Sequence, residues 1–282
     1  MKAVRIHEDG GPEVLRYEDA PDPEPGPDDV LVELRAASLN HLDLWVRKGL
    51  PSVPKPRILG ADGAGVVAGT DERVVINPGI DLGDGRITVV GEHSDGTHAE
   101  LIAVPRAQVY PIPDDLSFEE AAAFPLVFET AYRMVVTKAG LAEEEWILIW
   151  GIGGGVATAS LAIAKALGAH AVVTSSSDEK LARARELGAD ATVNHETEDV
   201  VAAVKELTGG GAHVVVDHVG EATWAKSLNA ARADFEAVYD LVASGRVRPV
   251  VDEVFPLAEA AAAHERLECG EQLGKIVLRI PE

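Results

Sequence analysis

The chain has 282 residues, enough for two domains with their own cores, and its 46% hydrophobic and 26% charged content is that of a soluble globular protein. A net charge of −22, from 47 acidic against 25 basic residues, argues against nucleic acid and anionic membranes as partners, since both are polyanions. Cys269 is the single cysteine, which excludes an intrachain disulfide and a cysteine-rich zinc site.

The opening stretch MKAVRIHEDGGPEVL has no apolar core of a secretory signal, so a cytoplasmic location is expected. The first hundred or so residues read as β-rich, with strand-like runs in VLVELRAASL and AELIAVP separated by turns such as PDPEPGPDD. From Ser117 the spacing of LSFEEAAAFPLVFETAYRMVV becomes helical, with Ser117 as N-cap and Glu120 closing a capping box. The run from Trp146 to Ala164 is free of charge, but its glycine cluster makes it a buried strand, turn and helix, not a membrane span.

An alternating series follows. The strand WILIW leads to a helix from Gly155 to Leu167, and AVVTSS to the helix DEKLARARELG, stopped by Gly188. ATVNH then leads to EDVVAAVKELTGG, and a fourth strand covers Val214 to Asp217. Short β-branched runs between amphipathic helices predict an α/β fold with a parallel sheet and right-handed crossovers. The C-terminal segment from Val247 adds a strand, a helix and a last strand.

Gly151, Gly153, Gly154 and Gly155 depart from the G-x-G-x-x-G spacing, with Val156 where a third spaced glycine would fall. Their context still has meaning, because they join a buried strand to a helix N-terminus. Gly153, Gly154 and Gly155 can offer backbone N–H groups to a phosphate with no Cβ in its path; a merely flexible turn is the alternative. At the end of the second strand Thr174, Ser175, Ser176 and Ser177 precede Asp178, with Lys180 and Arg183 close by to neutralise a phosphate. This favours NADP(H) over NAD(H), against the alternative of a serine N-cap cluster beside a solvated lysine.

With SLNHLDLWVRKG, ILGADGAGVV, DERVVINPG, GEHSDGTHAE, AAAFPLVFETAYRMVV, the glycine loop and VVVDHVG in order, the sequence resembles the medium-chain dehydrogenase/reductase superfamily. It is most similar to the zinc-independent quinone oxidoreductase and alcohol dehydrogenase-like branch. The resemblance implies a GroES-like β-rich catalytic domain at 1–117 and 250–282 and a shortened, doubly wound Rossmann sheet at 118–249. The active site would lie in the cleft between them, in a homodimer or homotetramer.

No zinc is expected from the resemblance. Asn40 stands where zinc-containing members place a cysteine, and Gly60-Ala61-Asp62 stands where they carry Gly-His-Glu. His93 and His98, with His41 and Asp62, are the remaining metal candidates, and the histidines read as structural or solvent-facing. The branch implies that Asn40 and Asp43 lie near the nicotinamide and substrate, although both residues are also good local caps. It places Thr130 beside the nicotinamide, Val219 and Gly220 on the carboxamide side, and His195 on the adenosine side. Trp45 replaces a tyrosine of the branch and reads as a wall of the substrate pocket, since indole donates no acidic proton.

The expected function is NADP(H)-dependent hydride transfer to a quinone, enone or other small carbonyl. An alcohol dehydrogenase of the same fold, or a catalytically weak NADPH-binding sensor or interaction protein, are the alternatives. Relative to the family the chain is short after Gly69, near Leu82 and after Arg232, where two strands are missing. Either segments have been lost from the sequence at these points or the abbreviated chain is intact. The acidity itself reads as adaptation to concentrated salt, where cations screen self-repulsion. The melting temperature and activity should therefore both rise with added KCl, and a protein indifferent to KCl in both assays would refute the adaptation.

Overall fold

In the computed structural model the described residues are 1–81, 87–230, 251–256, 259, 262 and 275–279. They fall into two compact units, 1–231 and 232–282. The first unit begins with antiparallel β-structure. Strands β1 (Lys2–Ile6), β2 (Arg16–Asp19), β3 (Asp29–Ser38), β4 (Arg57–Ile58), β5 (Asp62–Val67) and β6 (Arg73–Ile76) surround a short helix, α1 (His41–Arg47). A hairpin of β7 (Gly79–Asp81) and β8 (Ile87–Val89) follows, then β9 (Leu101–Pro105) and β10 (Val109–Pro111). The sheet orders are β2-β1-β4 and β10-β6-β5-β3-β9. Alternation along the strands turns Val32, Val74, Ile76, Ile102 and Val104 into one core, the period-2 pattern of a half-buried sheet.

The predicted single helical stretch after Ser117 is divided. The capping box forms as predicted, with the Ser117 hydroxyl accepting from the Glu120 N–H, but α2 (Phe118–Ala122) is only one turn and a half long. A second helix, α3 (Pro125–Tyr132), starts on a proline and runs into a π-helical turn over residues 133–138. Pro125 accounts for the break through its missing N–H, which cannot donate to the preceding turn, while Phe124 before it keeps a helical backbone. Ala121 and Ala122 of α2 pack on Ala64 and Val75 of the antiparallel sheet.

The parallel sheet follows the predicted alternation: β11 (Trp146–Ile149), α4 (Gly155–Ala166), β12 (His170–Ser175), α5 (Asp178–Glu186), β13 (Ala191–Asn194), α6 (Val200–Thr208), β14 (Val214–Val216) and α7 (Glu221–Ala230). The strand order is β13-β12-β11-β14, all parallel. WILIW shows why helices cover both faces. Ile147 and Ile149 join Leu161 of α4 and Leu181 of α5 on one side, and Leu148 and Trp150 meet Val200 and Val204 of α6 on the other. Among the described residues β14 is paired only with β11; the segment in which the sequence lacks the next strands lies outside the described residues.

Of the three shortened points, one is described in full. The turn at Gly69–Thr70 is closed by hydrogen bonds from Thr70 N–H to Val67 O at 3.0 Å and from Val67 N–H to Glu72 O at 3.0 Å. The abbreviated hairpin is therefore continuous there; the points near Leu82 and after Arg232 lie outside the described residues. In the second unit, β15 (Val251–Pro256) pairs in parallel with β16 (Lys275–Arg279), matching the two predicted strands. No helix among the described residues is long and apolar enough to cross a membrane. Ile149 is fully buried at the centre of the parallel sheet, so Ile149→Ala should lower unfolding free energy by about 2–5 kcal/mol, read from the urea midpoint.

Candidate functional site

The glycine loop is held from beneath by Thr174, the buried penultimate residue of β12. Its hydroxyl accepts from the Gly151 N–H at 3.1 Å and its carbonyl from the Ile152 N–H at 2.7 Å. Gly151 and Gly153 have φ of 63° and 127°, conformations that a residue with a Cβ adopts only under strain. Gly154 is the N-cap of α4 and supplies no side chain to satisfy its first N–H groups, leaving them for a ligand. A methyl group on Gly155 would lie 2.8 Å from Val127 Cγ1, so this glycine lets α3 press against the start of α4. Val156 begins the next turn, and its carbonyl accepts from the Ser160 hydroxyl.

Two side chains reach over the loop. A methyl group on Gly153 would lie 3.3 Å from Lys180 Nζ, and one on Gly151 would lie 3.5 Å from His218 Nε2. Lys180 thus leans over the glycine turn. Its backbone N–H donates to the capping Ser177 hydroxyl, so Lys180 sits in the first turn of α5, beside the serines. Arg183, the other expected phosphate neutraliser, pairs with Glu186 at 2.5 Å along α5. Ser175 is buried and its hydroxyl accepts from the Ser177 N–H, Ser177 caps α5, and Ser176 is exposed. One oxygen of Asp178 accepts from the Asn194 side chain at 2.7 Å. His195 stands at the end of β13 with Nδ1 3.3 Å from the Thr174 hydroxyl and its ring tilted against Trp150.

The turn after β14 forms the facing rim. Asp217 accepts from the Val219 and Gly220 N–H groups and from the Thr223 and Ser227 hydroxyls. Burial pushes its carboxyl pKa up, but these hydrogen bonds outweigh burial and hold it below the usual range. Val219 is exposed, and Gly220 has a φ of 97°. His218 is open to solvent on one side. Crowding of its ring lowers its pKa, Asp217 opposes the shift, and the charge of His41 adds to it, leaving the pKa below the ordinary histidine value. His41 opens α1, so the charge that acts on His218 from outside its own turn comes from the start of that helix.

Asp62 organises the far wall. It is fully buried; Oδ2 accepts from Asn40 Nδ2 at 2.8 Å and from the Ser38 hydroxyl at 3.2 Å, and Oδ1 accepts from the Leu126 N–H at 2.9 Å. Burial raises its pKa, the bonds from Asn40, Leu126 and Ser38 oppose the rise, and the nearby Asp43 charge adds to it; the net shift is upward. Asp43 does not present a free carboxylate. One oxygen accepts from the Asn40 N–H at 2.7 Å and the other from the Gly60 N–H at 2.9 Å, so the capping alternative describes its contacts. Trp45 is exposed and its ring tilts against His41. Thr130 is exposed on α3, three residues beyond Val127 and so on the same side of the helix.

Positions 40 and 61 hold an amide engaged with Asp62 and an alanine without a ligating atom, and the Asp62 carboxylate already serves three donors. This donor set does not fit zinc. His93 Nδ1 accepts from the Val89 N–H, and His93 and His98 join no group of three or more His, Cys, Asp or Glu side chains able to hold a metal among the described residues. A separate apolar cavity of about 860 Å³ opens between α3 and strands β6 and β10, away from the glycine cradle.

His218 was not singled out in the sequence; His41 and Asp62 were considered only as metal candidates, and Thr174 only as part of the strand end. One signal was available: His218 follows the C-terminal end of a central strand, where open α/β sheets bind ligands.

Comparison with known proteins identifies relatives along the whole chain. An alcohol dehydrogenase GroES-like domain model matches residues 26–114, and two zinc-binding dehydrogenase models match residues 155–243 and 224–278. A quinone oxidoreductase of Pseudomonas aeruginosa is 31% identical over 326 aligned residues, covering 98% of this chain and 99% of the relative. That alignment is longer than the 282-residue chain, so the relative carries internal segments that this chain lacks. A crystal structure of an NAD-dependent alcohol dehydrogenase is 38% identical with a TM-score of 0.79, covering all of both chains. A quinone oxidoreductase of Pseudomonas syringae pv. tomato is 30% identical with a TM-score of 0.71, covering 98% of this chain and 99% of that one.

The raised pKa of Asp62 has a sign that can be checked. The folded carboxyl binds its proton more tightly than the unfolded one, so its contribution to folding is full below about pH 4 and is lost as pH rises through the folded value. Asp62→Asn removes this slope. Relative to wild type, the variant should gain stability as pH rises across that window in urea unfolding at high KCl; a difference independent of pH would refute the assignment.

Proposed function

This chain belongs to the medium-chain dehydrogenase/reductase superfamily, among quinone oxidoreductases and alcohol dehydrogenases, and we propose that it transfers hydride between NADP(H) and a quinone, enone or other small carbonyl without a catalytic zinc. The observation that carries the reading is the glycine cradle, flanked by Lys180 and His218 and coupled through His218 to the start of α1. The cradle fits a dinucleotide: a Cβ would fill it, and the first N–H groups of α4 are uncapped.

In this reading the N–H groups of Gly153, Gly154 and Gly155, with Lys180, hold the diphosphate, and Val156 only continues the helix. Ser175 shapes the turn through Ser177, Ser176 faces the ribose, and His195 borders the adenosine side. Val219 and Gly220 line the carboxamide side, with Thr130 beside the nicotinamide. When bound, the nicotinamide supplies or accepts the hydride. Asn40, its amide aimed by Asp62, orients the substrate; Trp45 walls it; Asp43 positions the segment by tying Asn40 to Gly60. The protein contributes orientation and electrostatics and leaves the electron chemistry to the cofactor.

The zinc-free reading rests on the donor set at positions 40, 61 and 62. The preference for NADP(H) rests on the serines at the end of β12, with Asp178 set later, at the first position of α5, and one of its oxygens engaged by Asn194. Alcohol oxidation with NAD(H) is the second reading, favoured by the likeness to the NAD-dependent alcohol dehydrogenase.

Fluorescence titration with NADPH and NADH, followed by turnover on quinones, enones and primary alcohols, separates the two. Tighter NADPH binding and chelator-insensitive quinone or enone reduction are expected; tighter NADH binding with alcohol oxidation alone would establish the second reading. Lys180→Ala should weaken NADPH and NADH by a similar factor, about tenfold. Loss confined to NADPH would place Lys180 on the 2′-phosphate instead.

A further inference from the structure

His218 is the one ionisable group at the cradle to which no role has been given. Its Nε2 lies 3.5 Å from where a methyl group on Gly151 would sit and 3.8 Å from the same point on Gly154, inside the curve of the loop. Charged and titratable groups face it from three directions. Asp217 precedes it but is held by two backbone N–H groups and two hydroxyls. The charge of His41, at the start of α1, opposes protonation of His218. Lys180 comes from α5, with its ammonium against Gly153 on the same loop.

We propose that His218 is a proton-linked anchor for the cofactor diphosphate, taking up a proton when the dinucleotide binds and releasing it when the dinucleotide leaves. This rests on the cofactor reading above.

In the free site a second positive charge beside Lys180 and opposed by the charge of His41 is disfavoured, and the crowded ring is poorly solvated on its inner side. A diphosphate seated on the loop brings negative charge to within hydrogen-bond reach of Nε2 and reverses that balance. The bound state then holds more protons than the free state. Affinity must fall as pH rises, in the window between the depressed value of free His218 and its raised value in the complex, by up to about tenfold per pH unit.

The surface gives this device a purpose. A chain of net charge −22 with nine lysines opposes an anionic cofactor at long range. An imidazole inside the loop supplies positive charge only while the anion is present to stabilise it.

The test uses NADH as the main probe, because a 2′-phosphate monoester titrates in its own right near pH 6 and would add its own slope. Kd is measured by fluorescence from about pH 6 to about pH 8.5, with calorimetry in two buffers of different ionisation enthalpy to count protons. Wild type should show Kd rising about tenfold across the range, with net proton uptake. His218→Gln, its folding checked by thermal melting, should bind with a nearly flat pH profile and match wild type at the alkaline end. An unchanged slope in His218→Gln, or no proton uptake by wild type, overturns the proposal. So does a slope that survives in His218→Gln and vanishes in His41→Gln, which places the proton on His41. If neither NADH nor NADPH binds at any pH, the cofactor reading itself fails, an outcome distinct from binding that ignores His218.

Discussion

The buried carboxylate of Asp62 links the pieces of the site to one another. It leaves β5 and takes hydrogen bonds from the end of β3, from the residue that opens α1, and from the second residue of α3. A carboxylate is costly to bury without partners, and here its donors come from segments that are far apart in sequence. The bond from Leu126 places the anion at the positive end of α3, where the helix dipole favours it. The next residue, Val127, rests on Gly155 at the first turn of α4. Asp62 therefore links the amide of Asn40 to the glycine turn before α4 through a single short helix.

The parallel sheet imposes the second constraint. With β14 at the edge among the described residues, the turn after it cannot lean on a neighbouring strand on that side. Asp217 does that work locally, folding the turn around its own carboxylate before α7 begins. His218 and Val219 stand on this self-contained turn, so the facing rim of the cradle can keep its shape in a shortened sheet. The hairpin at Gly69–Thr70 makes the same point in the antiparallel half, where a brief turn closes with its own hydrogen bonds.

What the sequence revealed follows from the range of each interaction. WILIW alternates because two helical layers must each receive a face of β11, and that pattern is local. Ser117 and Glu120 form their capping box within four residues, so it too was legible. Pro125 was in view, yet the helical spacing around it hid the break that it causes. Asn40 and Asp43 looked like nicotinamide neighbours by resemblance, whereas the hydrogen bonds of Asp43 to Asn40 and Gly60 follow its local capping pattern. The approach of Lys180 to Gly153 was not legible, because it depends on the phase of α5 against a loop twenty-odd residues earlier, which no spacing rule encodes. The coupling between His41 and His218 spans most of the first unit and had no sequence signature beyond the strand end that precedes His218.

The polarity of the cradle and that of the surface are separate matters. Most of the acidic excess is spread over the molecule, and at about 0.15 M salt charges farther apart than roughly 8 Å are largely screened. Lys180, His218 and the uncapped N–H groups of α4 act on a bound anion at contact distance, where screening is weak. Rising salt therefore weakens the long-range repulsion of an anionic cofactor faster than it weakens the short contacts that hold it. An acidic exterior and an anion-binding interior are compatible for this reason, and they become more so as the ionic strength of the surroundings increases.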